Sequence, residues 1–500
     1  MSASTPPAPP PAVSTTRRIR FTMLGIMLAM LLAMLDNAIV GTSMPTIVGD
    51  LGGLDHLSWV VTAYTLATAV STPVWGKFGD LLGRKRVYLV SIGVFLAGSV
   101  LSGAARSMEQ LIGFRALQGV GAGGIASLAF ALIATLVTPR ERGRYQGMTA
   151  TVMALGTVGG PLLGGVVSGH LGWRWAFYLN IPLGLLALVW CAVMLRAPAA
   201  REGRVRIDWP GIALMTVTIS ATVLGTTWAG TEYAWGSWQI LGLAGAAVVG
   251  LALFLVSQRR APEPVLPLRI FSDGNFRLAC VMVCAAGAVM FGATLYLPLF
   301  QQGVQGASAA DSGLLLLPMM VPIALVSNIA GKIMSRTGRY KVFPVLGAAF
   351  MTAGSALLAT VDTGTSRAFS GAAMALVGVG LGFLMQMTTT LAQNSVEMRD
   401  MGVASASVTL FRTVGGSIGV AAFGALFTHA THGSGGPGAS GVASGVQQIF
   451  ALAAAVCAVA FVAALRVREV PLRGGGPGSG AGNPGPRPSA ARKPAGRTTG

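Results

Sequence analysis

Long apolar runs, broken by short polar connections, fill the chain from about residue 21 to residue 465. About 20 consecutive apolar residues let one helix cross a bilayer. The runs predict fourteen spanning helices, at about 21–45, 57–76, 87–105, 110–137, 146–168, 175–195, 210–228, 238–256, 276–300, 312–332, 342–360, 368–392, 402–427 and 446–465. Hydrocarbon offers the backbone no hydrogen-bond partners, so spans of this kind are helices, and the predicted class is an all-α polytopic membrane protein. The first run is too long for the apolar core of a cleavable leader. Residues 1–16, rich in Pro, Ala, Ser and Thr, and residues 471–500, rich in Gly, Pro and Arg, read as disordered tails.

The polar connections alternate in charge. Arg17, Arg18 and Arg20 precede the first span, and Lys77, Arg84, Lys85 and Arg86 follow the second. Further basic groups occur at Arg140, Arg142 and Arg144, at Arg259, Arg260 and Arg269, and at Lys332, Arg336, Arg339 and Lys341. The opposite connections hold Asp50, Asp55, Glu109, Glu232 and Asp362 with little basic charge. The positive-inside rule then predicts a multi-pass protein of the cytoplasmic membrane with both termini in the cytoplasm. Trp59, Trp173, Trp175 and Trp238 fall at predicted outer ends, as an interfacial belt requires. The net charge of +19 could suggest a nucleic-acid partner, but its confinement to alternate connections excludes one. Cys191, Cys280, Cys284 and Cys457 all lie in apolar runs and show neither metal-ligand nor disulfide-framework spacing, so no metal is expected.

An internal repeat divides the chain. GKFGDLLGRKR at 76–86 is echoed by GKIMSRTGRYK at 331–341, with Gly76, Lys77, Gly83 and Arg84 matched by Gly331, Lys332, Gly338 and Arg339. Two related halves around a central cavity are a transporter plan. The predicted units are a six-helix half at 17–200, an inserted two-helix hairpin at 201–262 and a second six-helix half at 263–470.

Three charged or polar residues stand out inside the spans. Asp36 sits in the apolar run around 24–48. A carboxylate at bilayer depth costs about 2.5–3.5 kcal/mol, a cost tolerated where the acid faces a wet, protein-lined cavity and can hold a proton or cation. Arg115 lies in the fourth span, with Gln118 one turn further on. An arginine keeps its proton, so it has to pair or face water, and Asp36 and Gln118 are its candidate partners. A fixed cation beside an acid favours the acid's charged form, and substrate or movement can undo that preference.

Gly76-x-x-x-Asp80-x-x-Gly83-Arg84-Lys85-Arg86 resembles the signature loop of the major facilitator superfamily, and Arg115-x-x-Gln118-Gly119 resembles that family's helix 4 pattern. Gly156, Gly160, Pro161, Gly164 and Gly165, in GTVGGPLLGG, resemble its antiporter motif. Glycines spaced by four permit close helix packing, and the proline removes a backbone donor and bends the helix. LDNAIVGTSMPTI at 35–47, WRWAFYLNIPLG at 173–184 and YLPLFQQGVQGASAADSGLLLLP at 296–318 are similar to stretches of the fourteen-helix drug:proton antiporters of the EmrB/QacA type. The first departs from that pattern at Asn37, Gly41 and Met44.

The resemblance implies the major facilitator fold and an exporter of bacterial type, working by alternating access. It implies proton coupling through Asp36 and Arg115, with the proton as coupling ion and no other cofactor. It implies a conformational latch at 76–86, and a helix 5 motif that packs on the other half to seal the outer side. Lipophilic small molecules are the expected substrates, and Met34, Tyr64, Gln118, Tyr296, Gln386 and Arg412 are candidate cavity residues. Arg412 could pair with Glu397 or Asp400, or reach out to the cytoplasmic surface. No nucleophile–base constellation and no phosphate-binding G-x-x-x-x-G-K-[ST] loop occurs, so neither an enzyme nor an ATP-driven pump is expected. A dedicated exporter of one metabolite, antibiotic or lipid uses the same machinery and differs in the breadth of what it moves. A non-transporting sensor or channel would differ in failing to move solute uphill.

Overall fold

The computed structural model describes residues 15–52, 57–137, 139–195, 207–229, 232–307, 314–397, 400–433 and 438–470. The two predicted tails, apart from Thr15, Thr16 and their immediate continuation into the first helix, lie outside the described residues. Fifteen α-helices make up the described chain. They are α1 (Thr15–Leu51), α2 (Leu57–Leu82), α3 (Arg84–Gly103), α4 (Met108–Leu136), α5 (Pro139–His170), α6 (Arg174–Tyr178), α7 (Asn180–Met194), α8 (Trp209–Trp228), α9 (Trp238–Arg260), α10 (Gly274–Gly303), α11 (Leu317–Thr337), α12 (Val342–Leu358), α13 (Arg367–Asn394), α14 (Met401–Gly433) and α15 (Ala439–Leu465). Among the described residues, eleven helices are long and apolar enough to cross a membrane, with α6 and α7 acting as one of them. The apolar α12 is shorter, and α2 and α5 fall outside that set.

Polar residues at the ends of the runs set where helices start. Ser107, Asp208, Ser237, Asp273 and Ser366 each accept a hydrogen bond from a backbone N–H in the first turn of the helix that follows. Those N–H groups have no partner inside the helix, and a short oxygen side chain supplies one. The repeated loops end in glycines with positive φ, Gly83 at 93° and Gly338 at 71°. Both sit at positive φ, which favours glycine, but ψ is 123° at Gly83 and −3° at Gly338, so the repeat shares the glycine and not the whole turn geometry.

One apolar cluster draws on residues from Met23 to Leu195, mainly in α1, α3, α4 and α7 with Tyr64 of α2 and Tyr145 of α5. A larger one draws mainly on residues from Met215 to Val467. Burial ranks the helices by position: 78% of the apolar window of α4 is buried, against 17% of that of α9. The first is an inner helix and the second a peripheral one, paired with α8. Contacts between the two groups of helices gather at the end that carries the Gly76–Arg86 loop. Gly76 meets Gly402 and Ala406 of α14, Asn328 of α11 donates to the Gly147 carbonyl and Thr151 hydroxyl of α5, and Gln393 of α13 donates to the Phe130 carbonyl of α4. This end is closed in the structure.

Candidate functional site

Asp36 lies on the face of α1 that turns away from α5. Met34, Ala38 and Thr42 form the ridge on the other face, and Gly156, Gly160 and Gly164 of α5 lie against them in that order. The two helices therefore run parallel here, separated only by glycine on one side. A Cβ at Gly156 would stand 2.6 Å from that of Met34, and one at Gly160 would collide with Ala38. Gly156, Gly160 and Gly164 of the motif thus seat the helix that carries Asp36 in this conformation. Pro161 and Gly165 belong to the same helix, but their surroundings are outside the described residues.

The carboxylate is fully buried and takes three hydrogen bonds. Arg115 Nη1 donates to Oδ2 at 2.6 Å, Gln118 Nε2 donates to Oδ1 at 2.8 Å, and Asn180 Nδ2 donates to Oδ1 at 2.6 Å. Arg115 Nη1 also donates to Gln118 Oε1 at 2.8 Å. Residues three apart on a helix share a face, which brings Arg115 and Gln118 to the same carboxylate. Asn180 is held in turn, since its Nδ2 also donates to Ser99 Oγ at 2.9 Å. Small residues let these helices come close enough. A Cβ on Gly98 would press on the Gln118 backbone at 2.6 Å, and one on Gly119 would strike the Tyr64 carbonyl.

Arg115 is also fully buried, yet its Nε and Nη2 have no hydrogen-bond partner. The Tyr64 ring faces the guanidinium, with Cζ 4.1 Å from the ring centroid, and the Phe177 ring lies 5.9 Å away. A cation over an aromatic face recovers part of the lost hydration. Two unsatisfied buried nitrogens, with three N–H donors between them, each cost about 1–3 kcal/mol, so this guanidinium is not saturated as a purely structural staple would be. The site is a buried acid and cation with spare donor capacity, placed inside helices long enough to span a bilayer.

The latch residues meet across the two groups of helices. Asp80 accepts from the backbone N–H groups of Gly402 and Val403, at 3.2 and 3.1 Å, and so caps the start of α14 from another helix. Arg84 Nη2 donates to Asp80 Oδ1 at 2.6 Å. Asp80 lies beyond the predicted span 57–76, where burial raises its pKa against the opposing pull of Arg84. Lys85 donates to the Ala192 carbonyl of α7 at 2.7 Å, and Arg86 is exposed. In the second copy of the loop Ser335 bonds back to Gly331 of its own helix, so only the first copy has this acidic bridge.

The other candidate cavity residues do not join the Asp36 cluster. Met34 lies against Gly156. Tyr296 is buried, with its hydroxyl 3.4 Å from the Val420 carbonyl and its ring packed against Phe427. Gln386 is buried in α13. Arg412 is half-buried in α14, and the Asp400 carboxylate expected as one possible partner is instead bonded by Arg269. Asn180 and Ser99 were not singled out by sequence. The one available signal was an amide inside an apolar run, two residues before Pro182.

The described chain is an all-helical bundle with a buried acid–arginine pair inside long apolar helices. The Major Facilitator Superfamily model matches residues 26–420, and the chain belongs to that superfamily. It is 40% identical over 491 residues to an uncharacterized MFS-type transporter of Mycobacterium tuberculosis, covering 92% of this chain and 71% of the relative. It is 38% identical over 402 residues to the multidrug transporter protein MdtP of Bacillus subtilis, covering 80% of this chain and 74% of the relative. Among solved structures, the human organic anion transporter MFSD10 superposes with a TM-score of 0.65 at 13% identity, covering 91% of this chain and all of that one. That likeness shows the fold.

Proposed function

We propose that this transporter exports lipophilic, drug-like molecules across the plasma membrane in exchange for protons, by alternating access. The observation that carries the reading is the buried Asp36 carboxylate held by Arg115, Gln118 and Asn180. In the arrangement seen, the cation and two amides all donate to the acid. Movement of α4 or entry of substrate withdraws Arg115, and Asp36 then takes a proton. The three spare N–H donors on Nε and Nη2 of Arg115 give the guanidinium an alternative bonding direction when it swings away. The relationship to MdtP supports multidrug efflux as the direction and breadth of transport.

In this reading all fourteen predicted spans cross the membrane, with the α8–α9 pair inserted between two six-helix halves. The closed end, rich in Lys and Arg, faces the cytoplasm in this reading, so the arrangement is shut on the cytoplasmic side. Opening inward breaks the Asp80 cap on α14 and the Asn328 contacts with α5. The proton gradient supplies the work. Each elementary charge moved across 100 mV releases about 2.3 kcal/mol, roughly a fifty-fold concentration ratio.

The test is transport into sealed proteoliposomes under an imposed pH gradient, with a panel of lipophilic cations and neutral antibiotics. Accumulation that follows the gradient and collapses with a protonophore supports proton-coupled efflux. Movement of panel members that ignores the gradient overturns it. Transport of a single member would favour the dedicated exporter.

A further inference from the structure

The connection between α9 and α10 does more than join two helices. It carries Pro262, Pro264 and Pro267 within 13 residues, 261–273, which stiffens it. Val265 and Ile270 are buried and anchor it in the larger apolar cluster, and Leu266 is buried beside them. The Leu266 N–H donates to Gln258 Oε1 of α9 at 2.9 Å, and Gln258 Nε2 donates to Asp208, which caps α8, at 2.7 Å. The segment is thus fastened to both helices of the peripheral pair.

Its charged residues reach both sides of the closed end. Glu263 forms an ion pair of 3.4 Å with Lys77, one turn before Asp80 on α2. Arg269 Nη2 donates to both oxygens of Asp400, at 3.0 and 2.9 Å, directly ahead of α14. Asp80 and Asp400 are near enough for the second charge to disfavour the first. Arg269 therefore offsets a carboxylate repulsion at the point where α2 meets α14. A cavity of about 440 Å³ opens between the segment and the latch, lined by Lys77, Asp80, Glu263, Arg269 and Asp400 among others. Room of that size lets the two elements move relative to each other without first breaking a packed core.

We propose that residues 261–272 form a strap that holds this end shut, tying α2 through Glu263 and α14 through Arg269, and that the α8–α9 pair thereby takes part in gating. The purpose of the strap rests on the transporter reading given above, but its test needs no substrate. When this end opens, α2 and α14 separate, and a rigid segment tied to both has to release at least one of them. Ion pairs at such exposure shift a conformational population by up to about fivefold each, enough to bias a gate without locking it.

The experiment places spin labels at Leu82 and Arg336, both exposed and on opposite sides of the closed end, in a chain whose four cysteines are replaced by alanine. Distance distributions are measured by pulsed electron resonance for the otherwise native strap, for Glu263→Gln with Arg269→Gln, and for the charge-keeping pair Glu263→Asp with Arg269→Lys. The strap predicts at least about a threefold rise in the long-distance population for the neutral pair. It predicts a nearly native distribution for the charge-keeping pair. An unchanged distribution in a neutral pair that melts like the parent overturns the proposal. So does a charge-keeping pair that shifts as far as the neutral one, because packing rather than charge would then carry the effect. Neither result touches proton coupling, which stands or falls on transport.

Discussion

Replacing Asp36 by Asn should cost about 3–5 kcal/mol of stability, and much of that cost should return when Arg115 is also removed. The magnitude follows from the three donors that converge on the carboxylate. An asparagine offers one carbonyl oxygen and an NH₂ group in place of two acceptor oxygens. With the NH₂ in the Oδ2 position it faces Arg115 Nη1, donor against donor. With the NH₂ in the Oδ1 position it faces Gln118 and Asn180. In either orientation Arg115 stays buried and charged without its counter-charge, and its Nε and Nη2 are already unpaired. Removing one partner of a buried ion pair is expensive for that reason, whereas removing both can be nearly neutral. The assay is reversible unfolding in mixed micelles of the native chain, Asp36→Asn, Arg115→Met and the double variant. A coupling energy of about 2–3 kcal/mol is expected for groups in direct contact. A coupling below about 0.5 kcal/mol would mean that the two side chains do not share one buried charge network, and the site as described would be wrong.

Three further outcomes follow from the packing and the surface charges. Gly76→Val places a side chain where a Cβ already stands 2.7 Å from that of Ala406, so the closed end should loosen and stability should fall by about 1–3 kcal/mol; faster thiol labelling of a cysteine at the Gly402 seam would show it. Gly160→Leu should force α5 away from Ala38 and displace Asp36, abolishing gradient-driven transport in a chain that still reaches the membrane. Trp173 and Arg174, by hydrogen-bonding the exposed carboxylate, hold Asp50 below its usual pKa. That link is complete above the ordinary carboxylate value of about 3.9 and is lost as pH falls through the lower folded value. The difference in melting temperature between the native chain and Asp50→Asn should therefore stay constant from about pH 8 to 5 and close only below about pH 4.

Asp36 and Arg115 were legible in sequence because charge inside an apolar run is costly, and Gln118 because it follows Arg115 by one turn. Their mutual pairing is visible only once α1 and α4 are neighbours. Asn180 escaped notice because a lone amide in an apolar run has many ordinary explanations, and its partner Ser99 lies 81 residues away. The glycine motif of α5 was legible as a close-packing stripe, but no spacing rule says which helix it faces. It faces α1 in this conformation, in register with Met34, Ala38 and Thr42. The repeat predicted two related loops that differ at Asp80 and Ser335, and Gly83 and Gly338 do share a positive φ, though not the same ψ. The exchange of Asp80 for Ser335 explains why only the first loop caps a helix across the seam. The strap was not legible, because Glu263 and Arg269 read as ordinary residues of a basic connection until Lys77 and Asp400 are placed beside them.

Whether Asp36 couples proton movement to export is decided by one comparison in proteoliposomes. The native chain and Asp36→Asn are measured side by side for uphill accumulation under a pH gradient and for gradient-free exchange of labelled substrate. The variant should lose uphill accumulation but keep exchange, because the carriage of substrate survives while the proton step does not. Uphill accumulation at the native rate in Asp36→Asn would rule Asp36 out and move the coupling to another residue.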